Sequence, residues 1–203
     1  MPYTDFTLES AEASFGLSIG LGDLFPDLKP LAVPAWLSDQ LGRGHAVAAL
    51  VSEKARSEFL VAPVLLACRE LVEGDLAIYS GQRLDVDAGQ GLSGECDYIL
   101  ALTVPVPRLR APLVTVLEAK RGDIEPGLGQ CVAQMLGARL FNERAGAATG
   151  ILYGAVTTGE AWQFLRLADS VVTLHSSRMF IDGLGMILAA FRAMLVESIA
   201  KHT

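Results

Sequence analysis

The sequence predicts an α/β (α+β) protein in which one mixed central β-sheet is flanked by α-helices on both sides. Three observations carry that reading. Short β-rich pieces follow one another between residues 76 and 120, each bounded by Gly, Pro or Asp, which is the pattern of a three- or four-stranded meander. Helical patterns stand before and after them, and a β-hairpin and a closing apolar helix complete the order α, β-meander, α, β-hairpin, α. The chain has 203 residues of which 51% are apolar, enough for one well-filled core and too few for two, so residues 1–203 read as a single domain.

The elements follow in chain order. Residues 1–50 mix Gly, Pro and short apolar runs with little periodicity, and read as a cap with short helices near 10–15 and 34–41 joined by loops. From Ser52 the stretch "SEKARSEFLVAPVLLACRELVEG" opens on a good N-cap, carries an acid in its first turn and stops at Gly74, a helix of about six turns. Pro63 inside it predicts a kink or the loss of one hydrogen bond. The meander is "LAIYSG", "QRLDVD", "GECDYILALTV" and "PLVTVLEAK". A second helix is predicted over 126–143, with Pro126 at its start and Gly146 just past its end. "GILYGAVTT" and "AWQFLRLA" then form a hairpin around "TTGE", "SVVTLHS" adds a strand, and "GLGMILAAFRAMLVESIAKH" closes the chain. That last helix is apolar on one face, with Arg192, Glu197 and Lys201 on the other, and a twin chain covering the apolar face would make a homodimer. The core falls at 52–167, between the cap and a C-terminal strand and helix at 168–203.

Charge and cysteine usage limit the function classes. A net charge of −7 argues against a protein that coats nucleic acid by electrostatics alone. The charge is uneven, because residues 1–100 hold 15 acidic and 6 basic side chains and residues 101–203 hold 8 and 10. Arg108, Arg110, Lys120, Arg121, Arg139 and Arg144 fall in the second part, where a phosphate-bearing partner is expected to approach. Cys68, Cys96 and Cys131 are far apart and set in apolar sequence, which fits reduced core thiols. His45, His175 and His202 show no ligand spacing and read as surface or packed residues. The start "MPYTDFTLES" lacks the pattern of a signal peptide, so the expected compartment is the cytoplasm.

The strand "PLVTVLEAK" ends in charge. Glu118 and Lys120 are two residues apart and therefore share a face, with Ala119 turned away. Alone, this pair reads as a solvated salt bridge that contributes little. Asp97, however, sits inside the otherwise apolar "GECDYILAL", where a carboxylate is costly unless it is paired or binds a cation. If the two strands are neighbours, Asp97, Glu118 and the Ala119 carbonyl make an all-oxygen site of the kind Mg²⁺ prefers, with Lys120 beside it to position a water and stabilise charge on a phosphate. On the first long helix, Glu58 is the one charged residue on the line Val51, Ala55, Glu58, Ala62, Leu65 and Val72, and it is placed ahead of Glu53, whose first-turn position suits dipole compensation. A register shift would reverse the two. On the second helix Gln130 and Gln134 share a face with small residues nearby, which allows a backbone of protein or nucleic acid to come close.

The ordered set Glu58, Asp97, Glu118-Ala119-Lys120 and Gln130 or Gln134 resembles the PD-(D/E)xK nuclease superfamily, and "TTGEAWQFLRL" resembles the hairpin that follows the core in its restriction-endonuclease-like domains. The resemblance covers roughly residues 52–167, with Cys96 where many members have Pro. It implies a restriction-endonuclease-like αβββαβ core. In active members it also implies Mg²⁺-dependent hydrolysis of phosphodiesters, Mn²⁺ serving as a substitute. On that pattern Asp97, Glu118, Ala119 and Glu58 would hold the metal, Lys120 would orient water, and Gln130 or Gln134 would fix the nucleophile or a phosphate. The expected partner is nucleic acid, DNA ahead of RNA, and no membrane. The alternative is a non-catalytic module that binds nucleic acid or protein on the same fold.

Overall fold

Strands covered on both faces read as continuous apolar runs, and "LVTVLEA" and "ILYGAVT" are such runs. Both are buried at every position, and they lie side by side at the centre of the sheet. The computed structural model describes residues 2–202, the His202 side chain excepted. Its strands are β1 (Ser18–Gly22), β2 (Ala77–Arg83), β3 (Glu95–Ala101), β4 (Leu113–Ala119), β5 (Ile151–Thr157), β6 (Ala161–Ala168), β7 (Val171–His175) and β8 (Met179–Phe180). They form one sheet in the order β1-β7-β6-β5-β4-β3-β2, with β8 paired to β6.

The meander β2-β3-β4 is antiparallel, as its tight connections require. The step from β4 to β5 is parallel, from Thr115 opposite Tyr153 to Ala119 opposite Thr157, and a crossover helix makes it. β5, β6 and β7 are antiparallel again, and β1 adds in parallel beyond β7. The predicted strand "QRLDVD" is not separate: β2 runs through Gln82 to Arg83, after which Asp85 and Asp87 tie down a turn by accepting from Ser93 and Gln90. β1 and β8 lie where loops were expected. β1 is an edge strand, and its Ile19 N–H donates at 3.3 Å to Glu12 rather than to another strand.

Helices cover both faces of the sheet. On one side lies α5 (Glu125–Arg144), packed on β4 and β5 with Cys131, Val132 and Met135 in the core. α1 (Leu8–Phe15) and the preceding turn cover the outer side of α5, so Tyr3 and Phe6 are buried beyond it. Their approach is close enough that a Cβ at Gly129 would stand 2.3 Å from the Thr7 backbone. The small residues of this helix therefore admit the chain's own backbone. On the other side lie α2 (Ala35–Val47), α3 (Glu53–Arg56), α4 (Ala62–Cys68) and α6 (Leu184–His202).

The predicted helix from Ser52 is helical from Glu53 to Leu71, but a π-turn over Ser57–Val61 separates α3 from α4. Pro63 follows directly, and the wider turn absorbs the ring and the missing donor without breaking the helix. It also shifts the phase of the helix, which corrects the inward line predicted from sequence. Val51 and Glu58 are exposed, and the buried line is Leu60, Val61, Val64, Leu65 and Cys68. The apolar face of α6 is taken up by the chain's own sheet through Leu188, Phe191 and Leu195. Residues 181–201 are long and apolar enough to cross a membrane by length and composition, and half of that window is buried in the fold. Trp162 and Phe164 are core residues, stacked at 6.4 Å.

Candidate metal and phosphate site

The crossover geometry brings the ends of β4 and β5, the start of β3 and the first turns of α5 to one edge of the sheet. β3 and β4 pair with Tyr98 opposite Leu117, which brings Asp97 beside the end of β4. Asp97 Oδ2 accepts the Ala119 N–H at 2.7 Å, and its charge acts on the Glu118 carboxyl. On the other side of β4, the Lys120 N–H donates to the Thr157 carbonyl at 2.7 Å. A strand residue points its N–H and C=O to the same side, so the Ala119 carbonyl faces Asp97.

Glu118 is 3% exposed. Its Oε1 accepts from Lys120 Nζ at 2.7 Å and its Oε2 from Gln134 Nε2 at 2.9 Å. Lys120 Nζ also donates to Gln130 Oε1 at 3.1 Å. Both amides therefore belong to the cluster, each with its own partner. The pair is not a solvated surface bridge, because the charged ends lie between α5 and the sheet. Gln134 is fully buried, and its Oε1 has no partner.

Burial dominates the electrostatics. Desolvation, then the neighbouring Asp97 charge, push the Glu118 carboxyl up to about 7, while Lys120 and Gln134 pull the other way. Asp97 is also raised, again chiefly by burial, against the Ala119 N–H and the Lys120 charge. For Lys120, burial works to lower the ammonium pKa, but Glu118, Glu53 and Asp97 together leave it raised. Two neighbouring carboxyls, both raised by burial in this way, form a locus that favours a cation.

Two side chains, Arg56 and Tyr98, tie the helical stretch over this edge. Arg56 donates to the Thr158 carbonyl at 3.0 Å and pairs with Glu160 at 3.2 Å. Tyr98 and Ser57 share a hydroxyl contact at 2.7 Å. Glu53 and Glu58 line a groove of about 400 Å³ with Ser57, Glu95, Asp97 and Ala119. Glu58 stands at its rim, half exposed and 3.8 Å from Lys54, whereas Glu53 is the acid of this helix whose charge acts on Lys120. The structure thus gathers Asp97, Glu118, Ala119, Lys120, Gln130 and Gln134 closely, and brings Glu58 only to the edge. Among the described residues, no three His, Cys, Asp or Glu side chains converge as a metal-holding group.

The basic side chains of residues 101–203 do not gather around the cluster. Arg108 and Arg110 lie in the β3–β4 loop, at the far end of β4 and so roughly 20 Å from Lys120 at about 3.3 Å per residue. Arg139 donates to the Asp169 carbonyl and Arg144 to the Val86 carbonyl, both away from the site. Arg121 alone of that group accompanies Lys120, exposed at the strand end. One residue that sequence reasoning passed over is Asn142, whose amide clamps the Leu113 backbone at the start of β4. A buried Asn near a helix C-terminus reads in sequence as an ordinary end signal, so only its burial reveals it.

Comparison of the chain with known protein families, with curated proteins and with solved structures finds no match.

Proposed function

We propose that the chain is a metal-dependent nuclease that hydrolyses nucleic-acid phosphodiesters, DNA ahead of RNA, on a restriction-endonuclease-like αβββαβ core. The order of α3–α4, the β2-β3-β4 meander, α5 and the parallel β5 supports the core. What carries the activity is the buried Glu118 carboxyl set against Asp97 and tied to Lys120.

The donor set fits a hard divalent cation. Mg²⁺ takes oxygen ligands, commonly one or two carboxylates, and keeps waters that a phosphate can replace. Asp97, Glu118 and the Ala119 carbonyl supply three oxygens on one edge, and Glu58 or Glu53 would reach the site through water from the groove rim. Bound there, Mg²⁺ or Mn²⁺ would polarise the scissile phosphate and make the attacking water more acidic.

The chain's own residues do the rest. Lys120 holds a positive charge at the strand end, where it would orient the water and stabilise the charge that develops on the phosphate oxygens. Gln130 aims the ammonium, since its Oε1 already accepts from Nζ. Gln134 holds the rotamer of Glu118 through Oε2. Arg56 and Tyr98 keep α3 and the π-turn, with Glu53 and Glu58, over the edge.

The test is cleavage of single- and double-stranded DNA and of RNA with and without Mg²⁺ or Mn²⁺. Activity that needs the divalent ion and disappears in Glu118→Ala and Lys120→Ala supports the reading. Equal, metal-independent cleavage by both variants overturns it.

A second reading has its own observation. Both Glu118 oxygens already have protein donors, an arrangement that also suits a non-catalytic module binding nucleic acid or protein. Calorimetry separates the two, since the module predicts no divalent-ion uptake even with DNA present.

A further inference from the structure

We propose that the Lys120 ammonium has two seats, and that it moves from Glu118 to Gln130 when a divalent cation takes Glu118 Oε1. The inference rests on the metal-binding reading above and adds how the cation enters.

A cation bridging Asp97 and Glu118 must take an oxygen that already has a donor. Three donors hold the cluster: the Ala119 N–H on Asp97 Oδ2 at 2.7 Å, Gln134 Nε2 on Glu118 Oε2 at 2.9 Å, and Lys120 Nζ on Glu118 Oε1 at 2.7 Å. The first belongs to the backbone of β4 and cannot withdraw without bending the strand. The second comes from a side chain with no exposed surface, packed inside α5. The third sits at the end of four methylenes, in a side chain that is 19% exposed, and is the one that can leave. It has to leave, because an ammonium and a divalent ion on one oxygen repel each other.

The second seat is already built. Gln130 Oε1 lies 3.1 Å from Nζ, so the ammonium keeps a partner while giving up Glu118. A neutral amide oxygen suits this task, because it holds the charge near the site without binding the cation as strongly as a carboxylate would. The stem needs room on α5, and Gly127 supplies it. A Cβ there would stand 3.0 Å from Lys120 Cε, 3.2 Å from Cγ and 2.7 Å from Val156 Cγ1. Any side chain at 127 would lift the lysine off the helix. Gly127 and Gln130 are therefore positioning residues, and Lys120 is the resident counter-ion that the metal replaces.

The experiment is Mn²⁺ titration calorimetry on the whole chain, wild type, Lys120→Met and Gln130→Leu, with lysine acetylation followed by mass spectrometry. Removing the competing ammonium is expected to tighten Mn²⁺ binding roughly tenfold in Lys120→Met, and removing the second seat to weaken it roughly tenfold in Gln130→Leu. Lys120 should acetylate slowly in the metal-free wild type and faster once Mn²⁺ has released it from the ion pair. It should acetylate fast without metal in Gly127→Ala combined with Val156→Ala, a pair that removes the second clash. Mn²⁺ binding in the wild type with equal or weaker binding in Lys120→Met overturns the exchange and leaves the metal reading standing. No binding by wild type or either variant at millimolar Mn²⁺ overturns both.

Discussion

The two ends of β4 are held by the same helix through the same chemical group, yet they are built to opposite standards. At its start, Asn142 of α5 donates to the Leu113 carbonyl at 2.7 Å and accepts the Leu113 N–H at 2.8 Å. Both partners are neutral and fully buried. At its end, Gln130 and Gln134 of the same helix meet Lys120 and Glu118, where charge is buried and one amide oxygen has no partner. A neutral clamp of two bonds serves stability. A cluster of buried charge, with carboxyls raised by burial, costs stability, which is the pattern expected of a binding or reactive site.

The largest expected effect is on catalysis at the charged end. Glu118→Ala should lower the rate of divalent-ion-dependent DNA cleavage by roughly 1000-fold, about 4 kcal/mol of transition-state stabilisation. Steady-state assays check this, and thermal unfolding should show the variant still folded, since the change also removes a buried carboxyl. At the neutral end the loss should be stability alone. Asn142→Ala strands a buried N–H and a buried C=O, which should cost about 2–4 kcal/mol in urea unfolding. If that variant lost activity without losing stability, the contrast between the two ends would be broken.

A smaller effect is expected where the helix is moored over the site. Tyr98→Phe removes the hydroxyl that meets Ser57, and should cost about 1 kcal/mol in urea unfolding. Its effect on cleavage should exceed that of Asn142→Ala, because it loosens the helix that carries Glu53 and Glu58. The smallest effect concerns Asp85, an exposed acid on the β2–β3 turn at the same sheet edge as Glu118. Hydrogen bonds, first from Arg83 and then from Ser93, hold its carboxyl below the usual range, the reverse of Glu118. A depressed folded value means a stabilising contribution present above the unfolded pKa and lost as pH falls through the folded one. Asp85→Asn should therefore lose a little stability at neutral pH and flatten the decline of the melting temperature below about pH 4.

Much of this arrangement was legible in the sequence, and the misses have physical causes. The central strands announce themselves as apolar runs with sharp ends, and an acid inside such a run, as at Asp97 and Glu118, is a signal that burial makes informative. β1 escapes notice because "SIGLG" offers two glycines, one of them exposed, and no run of β-branched residues; only pairing with β7 makes it a strand. A 3.6-residue period carried through Ser57–Val61 points Glu58 inward, and the π-turn breaks that period. The roles of Gln130 and Gln134 could not be divided from sequence, because two amides one turn apart differ only in what stands opposite them. The arginines share a segment of sequence but not a surface, since a strand carries its two ends far apart.

The covering of α5 by residues 3–15 bears on how the chain comes together in the cell. These residues leave the ribosome well before their partners at Gly129 and Gly137 exist, and Tyr3 packs against both α5 and the Ser93–Gly94 turn. During synthesis they must wait, exposed, until the crossover helix has docked on β4 and β5. This layer is thus translated well ahead of the helix it covers, and contacts so long-range in sequence are expected to fall late on the folding path.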